Sequence, residues 1–161
     1  MIAIGIDPGV TGAIAMITHR GLVNMADMPT MPRGAGTGFV KRQVNAAELA
    51  RILREWLVDT DKNEVMVALE AVNAFPGQGV ATTFSLALTA GLIEGAVSAR
   101  GYPHELVPPN VWKKALGLSS SKDQARMKAQ RLYPEADIHR VKDHNRAEAI
   151  LIARYCYEKH A

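Results

Sequence analysis

The first thirteen residues, Met1-Ile2-Ala3-Ile4-Gly5-Ile6-Asp7-Pro8-Gly9-Val10-Thr11-Gly12-Ala13, restrict the possible folds more than any other stretch. Residues 2–6 are an apolar run of the kind a buried strand needs. The run ends on one acid, Asp7, and then on turn chemistry, with φ fixed at Pro8 and positive φ permitted at Gly9. A second apolar run, Ala13-Ile14-Ala15-Met16-Ile17, follows at hairpin distance. A carboxylate at the edge of a buried sheet is costly unless something cationic meets it. Taken alone, Asp7 is equally well read as a turn residue capping local backbone. A second acid in the same setting tips the balance: Val65-Met66-Val67-Ala68-Leu69-Glu70 is again an apolar strand with one carboxylate at its end.

Residues 2–7, 12–18 and 22–28 are expected to form three antiparallel strands, with His19-Arg20-Gly21 as the second turn. The Gly- and Pro-rich stretch 28–38 reads as a mobile connection. Asn45 and Glu48 have capping-box spacing. Leu49, Ile52, Leu53, Trp56 and Leu57 then form the apolar stripe of a helix over about 46–59, with Trp56 in the core. A helix between two strands predicts that strand 65–70 joins the sheet parallel to the first. Asp7 and Glu70 would then stand at the same end of adjacent strands. The loop 72–79 follows Glu70 directly, where α/β sites are built, and Phe75 at its tip can either wedge between bases or fold back onto the core.

Val80–Ala99 is long enough to tempt a transmembrane reading, but Glu94, Ser85 and Ser98 predict a buried helix of a soluble protein. Gly91 and Gly95 are expected to let that helix lie tight on a sheet. A short strand at 104–107 comes next, then a helix opened by Pro108-Pro109-Asn110 and a second helix to about Leu132. The last helix begins near Asp143 and is apolar at Ala147, Ile150, Leu151, Ile152 and Ala153. With 161 residues, 48% of them hydrophobic and 22% charged, the chain has the composition of one globular domain over 1–161.

The lone cysteine, Cys156, excludes an internal disulfide and a cysteine-based zinc site, and it fits a buried thiol in a reducing compartment. No basic leader stands before the first apolar run, so a cytoplasmic location is expected. Net charge is +3, yet residues 113–131 carry Lys113, Lys114, Lys122, Arg126, Lys128 and Arg131 against Asp123 alone. That segment is +5 and the rest of the chain near −2. A basic segment of this kind points to a polyanionic partner, and a solvated helix face is the plainer alternative. No G-x-x-x-x-G-K-[ST] loop is present, which leaves nucleotide hydrolysis by that route unsupported. His19, His104, His139 and His160 show no ligand spacing.

Three elements offer acids that can converge: Asp7, Glu70 and the cluster Asp143-His144-Asn145-Arg146-Ala147-Glu148. Hard divalent cations take oxygen ligands, and two of them about 4 Å apart can clamp the attacking and leaving oxygens of a phosphoryl displacement. Without metal, crowding would keep at least one of the carboxyls protonated. On a helix Asp143 and Glu148 stand about 140° apart, whereas His144 and Glu148 share a face. Asp143 can still turn inward if it lies at or before the N-cap. His144 can ligate, position a water or simply belong to the cap. Lys113, Lys114 and Lys122 can hold phosphates, and each alone is as well read as a solvated lysine.

The chain resembles the RuvC-like Holliday junction resolvases of the RNase H-like superfamily, especially the phage and organellar branch. The resemblance is carried by Ile4-Gly5-Ile6-Asp7-Pro8-Gly9, Ala68-Leu69-Glu70 with Pro76-Gly77-Gln78-Gly79, Trp112-Lys113-Lys114-Ala115-Leu116-Gly117-Leu118, and Asp143-His144-Asn145-Arg146-Ala147-Glu148-Ala149. It implies an α/β fold with a five-stranded mixed sheet, three antiparallel strands and then parallel ones, flanked by helices. It implies metal ligation by Asp7 and Glu70, completed from the last helix by Asp143 and Glu148, with His144 as a further catalytic candidate. Phe75, Lys113, Lys114, Lys122 and Arg126 are the candidate DNA contacts. The implied reaction is symmetric nicking of four-way DNA junctions by a homodimer using two Mg²⁺ or Mn²⁺ ions, with no nucleotide cofactor and no membrane. Many bacterial members place two acids three residues apart on the last helix, and here the position three before Glu148 is Asn145. Two rivals remain: a junction-binding protein without cleavage, and a fragment of an actin-like or sugar-kinase-type phosphotransferase, which also opens with a strand and an Asp-x-Gly turn.

Overall fold

The computed structural model describes residues 1–34, 41–74 and 76–161, and at Lys122 the backbone alone. The readings placed on Phe75, on the Lys122 side chain and on residues 35–40 fall outside the described residues.

The sheet is built as the apolar runs require. Strands β1 (Ile2–Asp7), β2 (Ala13–Thr18) and β3 (Gly21–Asp27) form the meander. β6 (Val65–Glu70) pairs parallel with β1, and β7 (His104–Val107) pairs parallel with β6, in the order β3-β2-β1-β6-β7. The fold is therefore α/β on a five-stranded mixed sheet. Two short strands, β4 (Thr30–Pro32) and β5 (Arg42–Val44), pair antiparallel as a separate ribbon. They correct the reading of 28–38 as a mere connection. Arg42 fastens the ribbon by donating from Nε to the Thr30 hydroxyl at 2.7 Å.

Alternation along the strands divides two cores. Ile4 and Ile6 face α1 (Ala46–Trp56), joining Leu49, Leu53, Ile93 and Val97. Ala3 and Ala68 face the opposite side, where α5 (His144–His160) lies beside α3 (Pro109–Ala115) and α4 (Lys122–Leu132). Ala147 and Ala149–Ala153 of α5 are all buried, as a helix hydrophobic on every side must be. Asn45 caps α1 by accepting from the Glu48 N–H at 3.1 Å, but the Glu48 carboxylate is taken by Arg51 instead of closing the box. Trp56 is only partly buried at the edge of its core.

The helix after the Glu70 loop is α2 (Val80–Arg100), and it departs from expectation. Its buried residues are Ile93, Ala96 and Val97, while Val80 is 87% and Phe84 58% exposed. Among the described residues it is the one helix long and apolar enough to cross a membrane. Gly91 and Gly95 face open space, so they do not press α2 onto the sheet. The close approach comes from Gly5, where an added Cβ would lie 2.2 Å from the Ala153 nitrogen and 2.3 Å from the Ala149 oxygen. Gly5 therefore sets how near α5 can lie to β1.

Candidate active site

Asp7 and Glu70 follow directly on Ile6 and Leu69, which are register partners in the parallel β1–β6 pair. The two acids thus stand side by side at the carboxyl ends of neighbouring strands. Period-two alternation turns both toward the face that Ala3, Gly5 and Ala68 present to α5. Glu148, one turn into α5, is buried there with 7% exposure, the same as Asp7. The turn after Asp7 is tight: Gly12 donates to the Gly9 carbonyl at 3.1 Å, and a Cβ on Gly12 would sit 2.0 Å from the Asp7 carbonyl oxygen.

Two neighbours tune these acids. Trp112 is fully buried and donates from Nε1 to Glu70 Oε1 at 2.9 Å. Burial nevertheless pushes the Glu70 carboxyl above its usual range, and the nearby Glu148 charge adds to the rise. Lys113 Nζ lies 2.8 Å from Glu148 Oε1 and 5.0 Å from the Trp112 ring. Lys113 is therefore the counter-ion of a site acid. Neither role of the Trp112-Lys113 pair is legible in the sequence, because both depend on tertiary contacts that bring α3 to Glu70 and Glu148.

Asp143 is paired with Arg140. It is the N-cap of α5, as the helical geometry required, but its carboxylate turns to Arg140, accepting from the backbone N–H at 2.9 Å and from Nη2 at 2.9 Å. Arg140 holds it below the usual carboxylate range. With Asp27, Arg140, Asn145 and Arg146 it lines a pocket of about 290 Å³, whereas the charges acting on Glu70 are those of Glu148 and Lys113. Asn145 donates to the Thr11 carbonyl at 2.5 Å, tying the start of α5 to the turn after Asp7. His144 Nδ1 lies 3.3 Å from the Val141 carbonyl. The chain thus brings Asp7, Glu70 and Glu148 to one face and gives Asp143 to an ion pair.

The basic segment is divided in the same way. Arg126 donates to Gln130 and to the His139 carbonyl, and Lys128 to the Leu116 carbonyl. Lys114 and Arg131 remain exposed. A second basic surface stands outside the segment that the sequence singles out. A cleft of about 760 Å³ opens beside the turn after Asp7, between Pro8–Thr11, the β4–β5 ribbon and the first turns of α2. Arg33, Lys41 and Arg42 line it, and its described lining includes no acid. Arg33 also sits over the Phe84 ring, 5.3 Å from its centroid. The sequence does carry a signal for it, because residues 28–44 hold three cations and no acid.

No protein-family model matches the chain, and no curated protein matches it in sequence. Among solved structures, Thermus thermophilus RuvC in complex with a Holliday junction substrate superposes with a TM-score of 0.68 at 17% identity. That match covers 99% of this chain and 96% of the RuvC chain. A second Thermus thermophilus RuvC structure gives a TM-score of 0.58 at 17% identity over the same shares of both chains. The strand order, the parallel β1–β6 pair and the packing of α5 across it give the chain the RNase H-like fold of RuvC.

Proposed function

We propose that the chain is a structure-selective endodeoxyribonuclease that resolves four-way DNA junctions by metal-dependent phosphodiester hydrolysis, as one nuclease domain spanning residues 1–161. The observation that carries this reading is the placement of Asp7, Glu70 and Glu148 on one face at the carboxyl ends of β1 and β6. Support comes from the fold, whose likeness includes a RuvC bound to a Holliday junction.

The donor set fits a hard divalent ion. All three groups are carboxylates, no sulfur or imidazole is needed, and burial raises Glu70 in a way that a nearby cation would reverse. Mg²⁺ or Mn²⁺ held by Asp7, Glu70 and Glu148 would supply an activated water and charge stabilisation at the scissile phosphate. Trp112 orients the Glu70 carboxylate through its N–H, and Lys113 offsets Glu148 until a cation arrives. The tight turn at Gly12 fixes the backbone of Asp7. Asp143 is kept as a positioning residue, because its bonds to Arg140 hold the start of the helix that carries Glu148. His144, at the first position of that helix, stands as a further candidate for water positioning. Phe75, Lys114, Lys122 and Arg126 are proposed DNA contacts.

Cutting two strands symmetrically needs two copies, and α2 offers the surface. Val80, Phe84, Ala87, Gly91 and Gly95 follow one another at helical spacing on its exposed side. A homodimer through this stripe covers the apolar face of α2 and fits a soluble protein of the cytoplasm, where junction DNA is found. A binding-only reading is favoured by one observation, Asn145 in place of an acid three residues before Glu148.

End-labelled four-way junction incubated with the protein and Mg²⁺, beside linear duplex, tests the proposal. Paired nicks near the branch point, abolished in Asp7→Asn while binding persists, are the expected result. A mobility shift without any nick in the wild type supports the binding-only reading instead.

A further inference from the structure

At the far end of α5, well away from the acids of the sheet edge, three different ligand types meet. Glu105 of β7 and Cys156 and His160 of α5 each present one ligand atom, and the three atoms lie within 4.8 Å of one another. Among the described residues this is the one group of three such atoms so gathered. Cys156 and His160 are four residues apart on one helix, so they share a face, and Glu105 meets that face from the edge strand. The sequence shows no ligand spacing for His160 because its third partner lies 55 positions away.

We propose that Glu105, Cys156 and His160 form a binding site for a borderline-soft divalent ion of the Zn²⁺ class, separate from the hard-ion site of the sheet edge. One thiolate, one imidazole and one carboxylate are a donor set that suits Zn²⁺ and disfavours Mg²⁺. The spacing is close to what the ion needs. Bonds of about 2.0–2.3 Å in a tetrahedron put neighbouring ligand atoms roughly 3.3–3.7 Å apart. His160 Nε2 is 3.1 Å from Glu105 Oε1, so a small side-chain rotation opens room for an ion between them.

The other contacts of the three groups leave the site usable. Lys159 Nζ binds Glu105 Oε2 at 2.5 Å, while His160 faces the other oxygen, Oε1. The lysine can therefore remain in place while an ion takes Oε1. Cys156 Sγ contacts the Met66 carbonyl at 3.7 Å, a weak bond that metallation would replace. On binding, the S–H proton leaves to solvent and the sulfur bonds to the ion, with no change of oxidation state. Burial keeps the free thiol protonated, pushed up to about 12. His160 is partly exposed, leaving a fourth position open to water. Such an ion would clamp the last turn of α5 to β7, the edge strand of the sheet.

Full-length protein, reduced and held in saturating Mg²⁺ so that hard-ion sites are filled, is titrated with Co²⁺ and then with Zn²⁺. The expected result is a thiolate-to-cobalt charge-transfer band at one Co²⁺ per chain, removed by Zn²⁺, with a raised Tm in Zn²⁺. Because Cys156 is the lone cysteine, the band reports this site alone. His160→Ala, at an exposed position that leaves the fold intact by circular dichroism, is expected to weaken Co²⁺ binding about tenfold or more. Absence of the band in the wild type, or full-strength binding in His160→Ala, overturns the proposal. Neither result bears on junction cleavage, which is read separately.

Discussion

Gly5→Ala tests the packing on which the site depends. The added methyl would meet two backbone atoms of α5, at 2.2 Å and 2.3 Å. Both distances are more than 1 Å inside ordinary carbon contact of about 3.5 Å. Overpacking normally costs about 1–3 kcal/mol, and much of that is limited by side chains that move aside. No side chain can yield here, so the expected cost is about 3 kcal/mol or more. At about 2–4 °C per kcal/mol for a chain of this length, Tm should fall by roughly 6–12 °C. Urea unfolding by far-UV circular dichroism is the assay, with a lowered midpoint at constant m. Relief would have to come from α5 moving off β1, which carries Glu148 away from Glu70, so Mg²⁺-dependent stabilisation should fall too. Ala153→Gly in the same chain should give no rescue, because it leaves the obstructing nitrogen in place. A stability within about 0.5 kcal/mol of wild type, or rescue by Ala153→Gly, refutes the packing argument.

Three further outcomes rest on the same geometry. Glu70 has a folded-state pKa above its ordinary value, so its contribution to stability is present below about 4.5 and is lost as pH rises through the folded value; Glu70→Gln should therefore raise Tm in chelator at neutral pH, by a margin that shrinks toward pH 4, and should blunt the Tm gain on adding Mg²⁺. Replacing Arg33 and Lys41 by Ala should weaken junction binding and lower the slope of log K against log salt by about 0.9 for each phosphate that is no longer neutralised, measured by titration at several salt concentrations; an unchanged slope clears the cleft of DNA binding. Phe84→Asp, on the exposed side of α2, should abolish the proposed homodimer in sedimentation velocity with little change in Tm, since Phe84 is 58% exposed; an unaltered sedimentation profile refutes a dimer interface on this face.

Much of the fold was legible because it rests on local chemistry. The apolar runs ending in Asp7 and Glu70 became β1 and β6, and the intervening helix made them parallel neighbours. Asn45 and Pro109 opened their helices as their backbone chemistry predicts. The features hidden from the sequence depend on partners distant along the chain or on a choice of face. Gly91 and Gly95 have the spacing of a close-packing motif, but which face of α2 meets the protein is decided by Ile93, Ala96 and Val97. Asp143 reads as a candidate ligand in the sequence, and its ion pair with Arg140, three residues earlier, is not legible there. Lys113 has the look of a phosphate contact, and its nearest acid is 35 positions away, at Glu148. The basic residues from 113 to 131 read as one segment, but among the described side chains the contacts divide them among a buried acid, two backbone carbonyls and solvent.

Whether Asp7, Glu70 and Glu148 hold metal together decides the proposed chemistry. Anomalous diffraction from crystals grown with Mn²⁺ measures this directly. Density between the carboxylates of Asp7, Glu70 and Glu148, with Lys113 displaced from Glu148, is the predicted result. Manganese seated at the Asp143 pocket, or none within bonding distance of Asp7 and Glu70, would contradict it.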